Sequence, residues 1–171
     1  MPNPPAGPLR FIGARVVTMD AARRVLDADV VVEHGRIAAV TPRPTRAATV
    51  AASVDCTGLI LIPGLVQAHI HLCQTLFRGL ADDLALEDWL AKRIWPLEAA
   101  HTDDTVYWSA MLGAAELLLG GTTAILDMET VRHTDAAFRA LEQIGLRATA
   151  GKCLMDAEAN PAGLRLSLIH I

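Results

Sequence analysis

Hydrophobic and polar positions change their rhythm along the chain. From Leu9 the apolar residues come in short runs: Phe11-Ile12 with Val16-Val17, then Val25 to Glu33 centred on Val30-Val31-Val32, then Arg36 to Val40. Asp20 to Arg24 and His34-Gly35 fall between them as turns, and Pro42 and Pro44 close the third run. Short β-rich runs separated by turn residues predict a small antiparallel sheet. Val54 begins a further short strand that ends at the Pro63-Gly64 break. Leu65 to Leu72 then reads as a buried strand with polar punctuation.

Beyond a long loop the period lengthens. Tyr107, Met111, Ala114, Ala115 and Leu118 recur at three- and four-residue steps, which predicts a helix over about 102–119. Thr102 suits its cap, Asp103-Asp104 its first turn, and Gly120-Gly121 its stop. Thr122 to Asp127 reads as a strand, Thr134 to Ile144 as a helix ending at Gly145, and Leu146 to Leu154 as another strand. Strands alternating with helices imply parallel βαβ units.

Composition narrows the class. The chain has 171 residues, 52% hydrophobic and 20% charged, with a formal net charge of -4. That is a globular composition. No Lys/Arg cluster stands out, which argues against a nucleic-acid partner. The Pro-rich start, residues 1–8, has neither the basic nor the apolar region of a signal peptide, and no run of about 18 apolar residues exists to enter a membrane. Three cysteines, Cys56, Cys73 and Cys153, show no CxxC spacing, and free thiols in a reducing cytoplasm are the expectation.

The chemistry sits in His69-Ile70-His71. Side chains two apart on a strand point to one side, so two imidazoles can converge on one cation. A bare HxH is weak evidence. Its setting, a hydrophobic strand and Pro-Gly followed by four residues, makes it stronger. Cys73, at the next same-face step, reads as packing. His101 and His133 read as helix-start residues, the first at the surface, and His34 as a turn residue. Asp127 closes a strand, where structural or solvated roles are the expectation.

Leu61-Ile62-Pro63-Gly64-Leu65-Val66-Gln67-Ala68-His69-Ile70-His71 resembles the first barrel strand of the amidohydrolase superfamily, and Asp55-Cys56-Thr57-Gly58 its lead-in. Leu119-Gly120-Gly121-Thr122-Thr123 resembles the approach to its second barrel strand. Three further segments, Thr75 to Leu84, Glu87-Asp88-Trp89-Leu90 and Ile94-Trp95-Pro96-Leu97-Glu98, are similar to the branch that deaminates S-adenosylhomocysteine, methylthioadenosine and 5'-deoxyadenosine. That branch also resembles triazine hydrolases and guanine deaminases.

The resemblance implies an α/β fold: the first three strands of a TIM-type (β/α)8 barrel over residues 62–165, preceded by part of a small β-sandwich over 9–61. It implies His69 and His71 as ligands of a divalent metal, zinc before iron. It implies Glu98 as acceptor of ribose hydroxyls and Trp89 as a wall of the purine site. Even so, Glu98 reads equally well as a solvated acid, and Trp89 and Trp95 as core. The substrate would be a small nucleoside or nitrogen heterocycle, with a homo-oligomer left open. A third His, an Asp ligand and the acid–base residues belong to later strands, so no catalytic residue is identifiable here. Three parallel strands cannot close a barrel that needs about 250 residues, and a truncated, inactive chain is the expectation. Leu166 to Ile171 departs from the family pattern and resembles translated sequencing-adapter sequence, which predicts a non-native tail. Two alternatives stand beside this reading: a triazine- or guanine-type aminohydrolase or chlorohydrolase, and a non-catalytic βα binding domain.

Overall fold

A computed structural model describes residues 7–43 and 52–155, which divide at Pro63/Gly64 into two compact units. Residues 1–6 of the expected leader at 1–8, and the expected tail at 166–171, lie outside the described residues.

The first unit is a five-stranded sheet. Strands β1 (Leu9–Val17), β2 (Val25–Glu33) and β3 (Arg36–Pro42) pair antiparallel in the order the runs predicted. His34 and Gly35 both have positive φ, 50° and 71°, as a two-residue hairpin turn between right-twisted strands requires. Two strands were not anticipated as partners of β1. Both β4 (Ala52–Asp55) and β5 (Ile60–Leu61) pair with it in parallel, so the sheet is mixed rather than antiparallel. The reason is that β1 has two edges and the hairpin uses one. The other takes the chain back, sealed by Cys56 N donating to Ile12 O at 2.7 Å and Arg15 N to Leu59 O at 3.0 Å. Ala14, Val16, Ala28, Val30 and Cys56 form its buried core.

The second unit holds three parallel strands in chain order, β6 (Leu65–Ile70), β7 (Thr122–Glu129) and β8 (Arg147–Lys152). Helix α3 (Asp103–Leu119) joins the first two and α4 (Thr134–Ile144) the last two. Thr102 caps α3 reciprocally with Thr105: Thr105 N donates to Thr102 Oγ1 at 3.3 Å and Thr102 N to Thr105 Oγ1 at 2.8 Å.

The buried face of α3 differs from the predicted stripe by one step. Val106, Ser109, Ala110, Gly113 and Ala114 are buried, and Leu118 is exposed. Small residues let the helix approach closely: a Cβ on Gly113 would lie 2.5 Å from Thr75 Oγ1 and 2.8 Å from Leu72 Cδ2. Strand β6 is not buried as predicted, with Leu65 and Val66 exposed, because it forms an edge of the three-stranded sheet.

The predicted long loop after β6 is partly helical. A 3-10 helix (Leu72–Phe77) follows His71, and residues 86–99 form α1 (Leu86–Trp89), a π turn (Leu90–Ile94) and α2 (Trp95–Ala99) in succession. Pro96 masked this in the sequence, since it interrupts a helical reading; the π turn directly before it loosens the helix where its ring and missing N–H would otherwise break it.

Candidate metal and substrate site

His69 lies in β6 and His71 one residue past its end, where the backbone is still extended (φ -133°, ψ 89°). Their side chains therefore leave the same side. The two Nε2 atoms are 3.2 Å apart, with the rings edge-on at 5.0 Å between centroids. His71 Nδ1 lies 2.9 Å from the carbonyl oxygen of Met128 on β7. A carbonyl only accepts, so Nδ1 carries the proton and Nε2 presents a lone pair.

Two nitrogens each about 2.0–2.1 Å from one tetrahedral cation would sit about 3.3–3.4 Å apart. The donor set, its spacing and the fixed tautomer therefore fit a divalent metal. A backbone carbonyl holding the far ring nitrogen is the usual outer partner of a metal-binding histidine. Among the described residues no third His, Cys, Asp or Glu joins the pair.

Beside the pair opens a cavity of about 310 Å³. Its helical wall comes from residues 86–99: Leu86, Trp89, Leu90, Ile94, Trp95 and Glu98 recur at three- and four-residue steps on one face. Met128 and Glu129 of β7, with Cys153 and Met155 beyond β8, form other walls. The sequence-predicted residues His69, His71, Trp89 and Glu98 thus share one cavity. Trp89 and Trp95 are half-buried against it rather than enclosed in a core.

Glu98 is not a solvated acid. It is buried, its Oε1 accepts from Gln74 Nε2 at 2.8 Å and its Oε2 from Thr130 Oγ1 at 3.4 Å. His101 is not at the surface either. Its Nε2 donates to Cys73 O at 2.8 Å, its Nδ1 accepts from Thr105 Oγ1 at 2.9 Å, and its ring stacks on Phe77 at 4.9 Å. Burial pushes its pKa down, so the ring stays neutral. His133 does start α4, in a left-handed conformation, and bonds Asp103 at 2.9 Å.

Two buried carboxyls on β7 complete the site. Asp127 Oδ1 accepts from Leu72 N at 3.1 Å, a structural role that ties the 3-10 helix to β7. Glu129, two residues on and on the same face, escaped the sequence reading. The signal was its spacing from Asp127 in a strand that otherwise alternates. Burial first, and then Asp127 beside it, push Glu129 up to about 9. Burial also raises Asp127, and it raises the Cys73 thiol, with Glu129 and Glu98 adding to the effect, so Cys73 remains a packed thiol.

A profile described as the Amidohydrolase family matches residues 60–168. The chain belongs to the amidohydrolase family. It is 42% identical over 151 residues to a 5-methylthioadenosine/S-adenosylhomocysteine deaminase of Syntrophobacter fumaroxidans, covering 86% of this chain and 34% of that protein. It is 46% identical over 129 residues to a 5'-deoxyadenosine deaminase of Methanothermobacter thermautotrophicus, covering 74% and 29%. Among solved structures, an atrazine chlorohydrolase from Arthrobacter aurescens complexed with zinc is 25% identical, with a TM-score of 0.78 over 87% of this chain and 36% of that one. A guanine deaminase from C. acetobutylicum with bound guanine has the same fold at 24% identity, with a TM-score of 0.82 over 96% and 40%. The chain spans about a third of the length of the curated relatives it matches. Among the described residues no helix is long and apolar enough to cross a membrane.

Proposed function

We propose that this amidohydrolase chain is the first part of a metal-dependent aminohydrolase that removes an amino group from an adenine nucleoside by hydrolysis of a C–N bond. One observation carries the reading: His69 Nε2 and His71 Nε2 meet at 3.2 Å on the wall of a cavity that Glu98 and Trp89 also line. The deaminase relatives support the substrate class, and the zinc-complexed neighbour supports zinc as the metal.

His69 and His71 hold the cation, with Met128 O keeping the His71 ring turned towards it. A divalent metal bound there would supply a water of lowered pKa and Lewis acidity. Glu98, fixed by Gln74, accepts from sugar hydroxyls through charge-assisted bonds. Trp89 walls the base and keeps water from its face. The five-stranded sheet serves as one layer of a sandwich, β6–β8 open a (β/α)8 barrel, and the enzyme works in the cytoplasm. The 171-residue chain alone turns nothing over, because the remaining ligands and the acid–base pair come from later strands.

Ammonia release from 5'-deoxyadenosine and methylthioadenosine by the full-length zinc enzyme tests this. His69→Ala and His71→Ala are each expected to remove the metal and at least about a thousandfold of kcat/KM. Glu98→Gln is expected to raise KM about 10- to 100-fold for nucleosides, the size of one or two charged hydrogen bonds. Unchanged nucleoside turnover in Glu98→Gln would remove the ribose assignment. Turnover of triazines or guanine in place of nucleosides would move the enzyme to the branch of its structural neighbours.

A further inference from the structure

Four carboxyls are buried among the described residues: Asp29, Glu98, Asp127 and Glu129. Three have partners. Asp29 accepts from Arg10 and the Gly13 amide, Glu98 from Gln74 and Thr130, and Asp127 from the Leu72 amide. Glu129 is 1% exposed, and neither of its oxygens has a hydrogen-bond partner of normal geometry. Asp127, the Thr130 amide and the Cys73 thiol lie beside the carboxyl without closing such a bond. Buried polar groups without partners are rare in native proteins because each forfeits its hydration.

Its place suggests what meets it. Glu129 lines the same cavity as the histidine pair. It follows Met128, whose carbonyl lies 2.9 Å from His71 Nδ1, and its own carbonyl accepts from Cys153 N at 3.1 Å. Its backbone is thus held on both sides, next to the metal-binding end. Among the described residues no Lys or Arg lines this cavity, so two acidic side chains, Glu98 and Glu129, set its polarity. Such a cavity disfavours anionic groups and rewards N–H and O–H donors.

We propose that Glu129 is a specificity-determining residue that accepts hydrogen bonds from the amino group of the substrate ring beside the histidine pair, as Glu98 accepts from hydroxyls. This rests on the aminohydrolase reading and adds to it a second point of selection: rings with an amino donor over rings of the same shape without one. A site built to bond a donor rejects the analogue lacking it, because the acceptor is then left bare.

The test compares adenosine with 6-chloropurine riboside in the full-length zinc enzyme. The two differ at the amino donor. Glu129→Leu is expected to lower kcat/KM for adenosine at least about tenfold, mainly through KM, and that for the chloro compound less than about threefold. Glu129→Gln, which keeps the shape and one acceptor, is expected to fall between wild type and Leu, and it decides the matter if the Leu variant does not fold. Zinc content per chain stays at the wild-type level in both. Equal losses on the two substrates, or an adenosine KM within about twofold of wild type, would overturn the proposal. If the wild-type enzyme turns over neither nucleoside, the nucleoside reading falls by itself. Glu129 is then judged by the same tenfold KM criterion on the amino-heterocycle that is turned over, guanine or an aminotriazine.

Discussion

One buried carboxyl in each unit, Asp29 in the first and Glu129 in the second, is held in an opposite way. In the five-stranded sheet, Asp29 is 5% exposed, and Arg10 and the Gly13 amide both reach it. Burial works against its charge, but the Gly13 and Arg10 bonds outweigh burial and hold it below the usual carboxylate range. In the parallel unit, Glu129 is as deeply buried with no hydrogen bond of normal geometry to either oxygen, and burial with Asp127 beside it pushes it up to about 9. One carboxyl is there to hold strands together. The other keeps unsatisfied hydrogen-bonding capacity facing a cavity. Burial alone therefore does not separate these two acids; their partners do.

The sharpest way to break this contrast is to remove Asp29. Asp29→Ala removes the acceptor shared by the Arg10 guanidinium and the Gly13 amide and is expected to cost about 3–5 kcal/mol, read by denaturant unfolding. A loss below about 1 kcal/mol would mean the pair is dispensable and the contrast empty.

The pH profiles should also run in opposite directions. Asp29 is depressed in the folded state, so its contribution is present above the unfolded carboxylate value and fades as pH falls through the lower folded value. Glu129 is raised, so its contribution is full below its unfolded value near 4.5 and is lost as pH rises through about 9. Amide-exchange protection in the metal-free protein, read at Val30 and Ile125, should show these two slopes. Glu129→Gln should flatten only the second.

A third effect is smaller and of unusual sign. Glu129→Leu should leave the unfolding free energy of the metal-free protein unchanged or raise it by about 1 kcal/mol, because an unpartnered buried acid is exchanged for an apolar side chain. A clear loss of stability would assign Glu129 a structural bond like that of Asp29. Last, Thr102→Ala, in the same unit but at a satisfied cap, is expected to cost about 1 kcal/mol. It checks that polar groups in this unit do stabilise it when their bonds are made.

Local signals made much of the fold legible. His34-Gly35, Thr102 and Gly145 mark ends that depend only on near neighbours in sequence, and the hairpin, the cap of α3 and the end of α4 fall where they predict. The parallel pairing of β4 and β5 with β1 depends on a strand edge far away in sequence, which no local pattern reports. The buried face of α3 was missed because its contacts use Ser109, Ala110 and Gly113, which carry little hydrophobic signal. In the site, HxH was visible because both residues share one strand and two-residue spacing. Glu129 was not, because its meaning lies in partners it lacks, and a sequence does not display an absence. His101 looked polar and terminal, yet Phe77 and Cys73 O enclose it from another segment.

The contact between His71 Nδ1 and Met128 O spans 57 residues. A ribosome adding about 5–20 residues per second needs roughly 3–11 s to cross that interval. During it the histidine pair is already made, while the carbonyl that selects which imidazole nitrogen faces the cation has yet to be synthesised. The tautomer of His71 is thereby fixed later than either histidine is made, when β7 arrives to supply Met128 O.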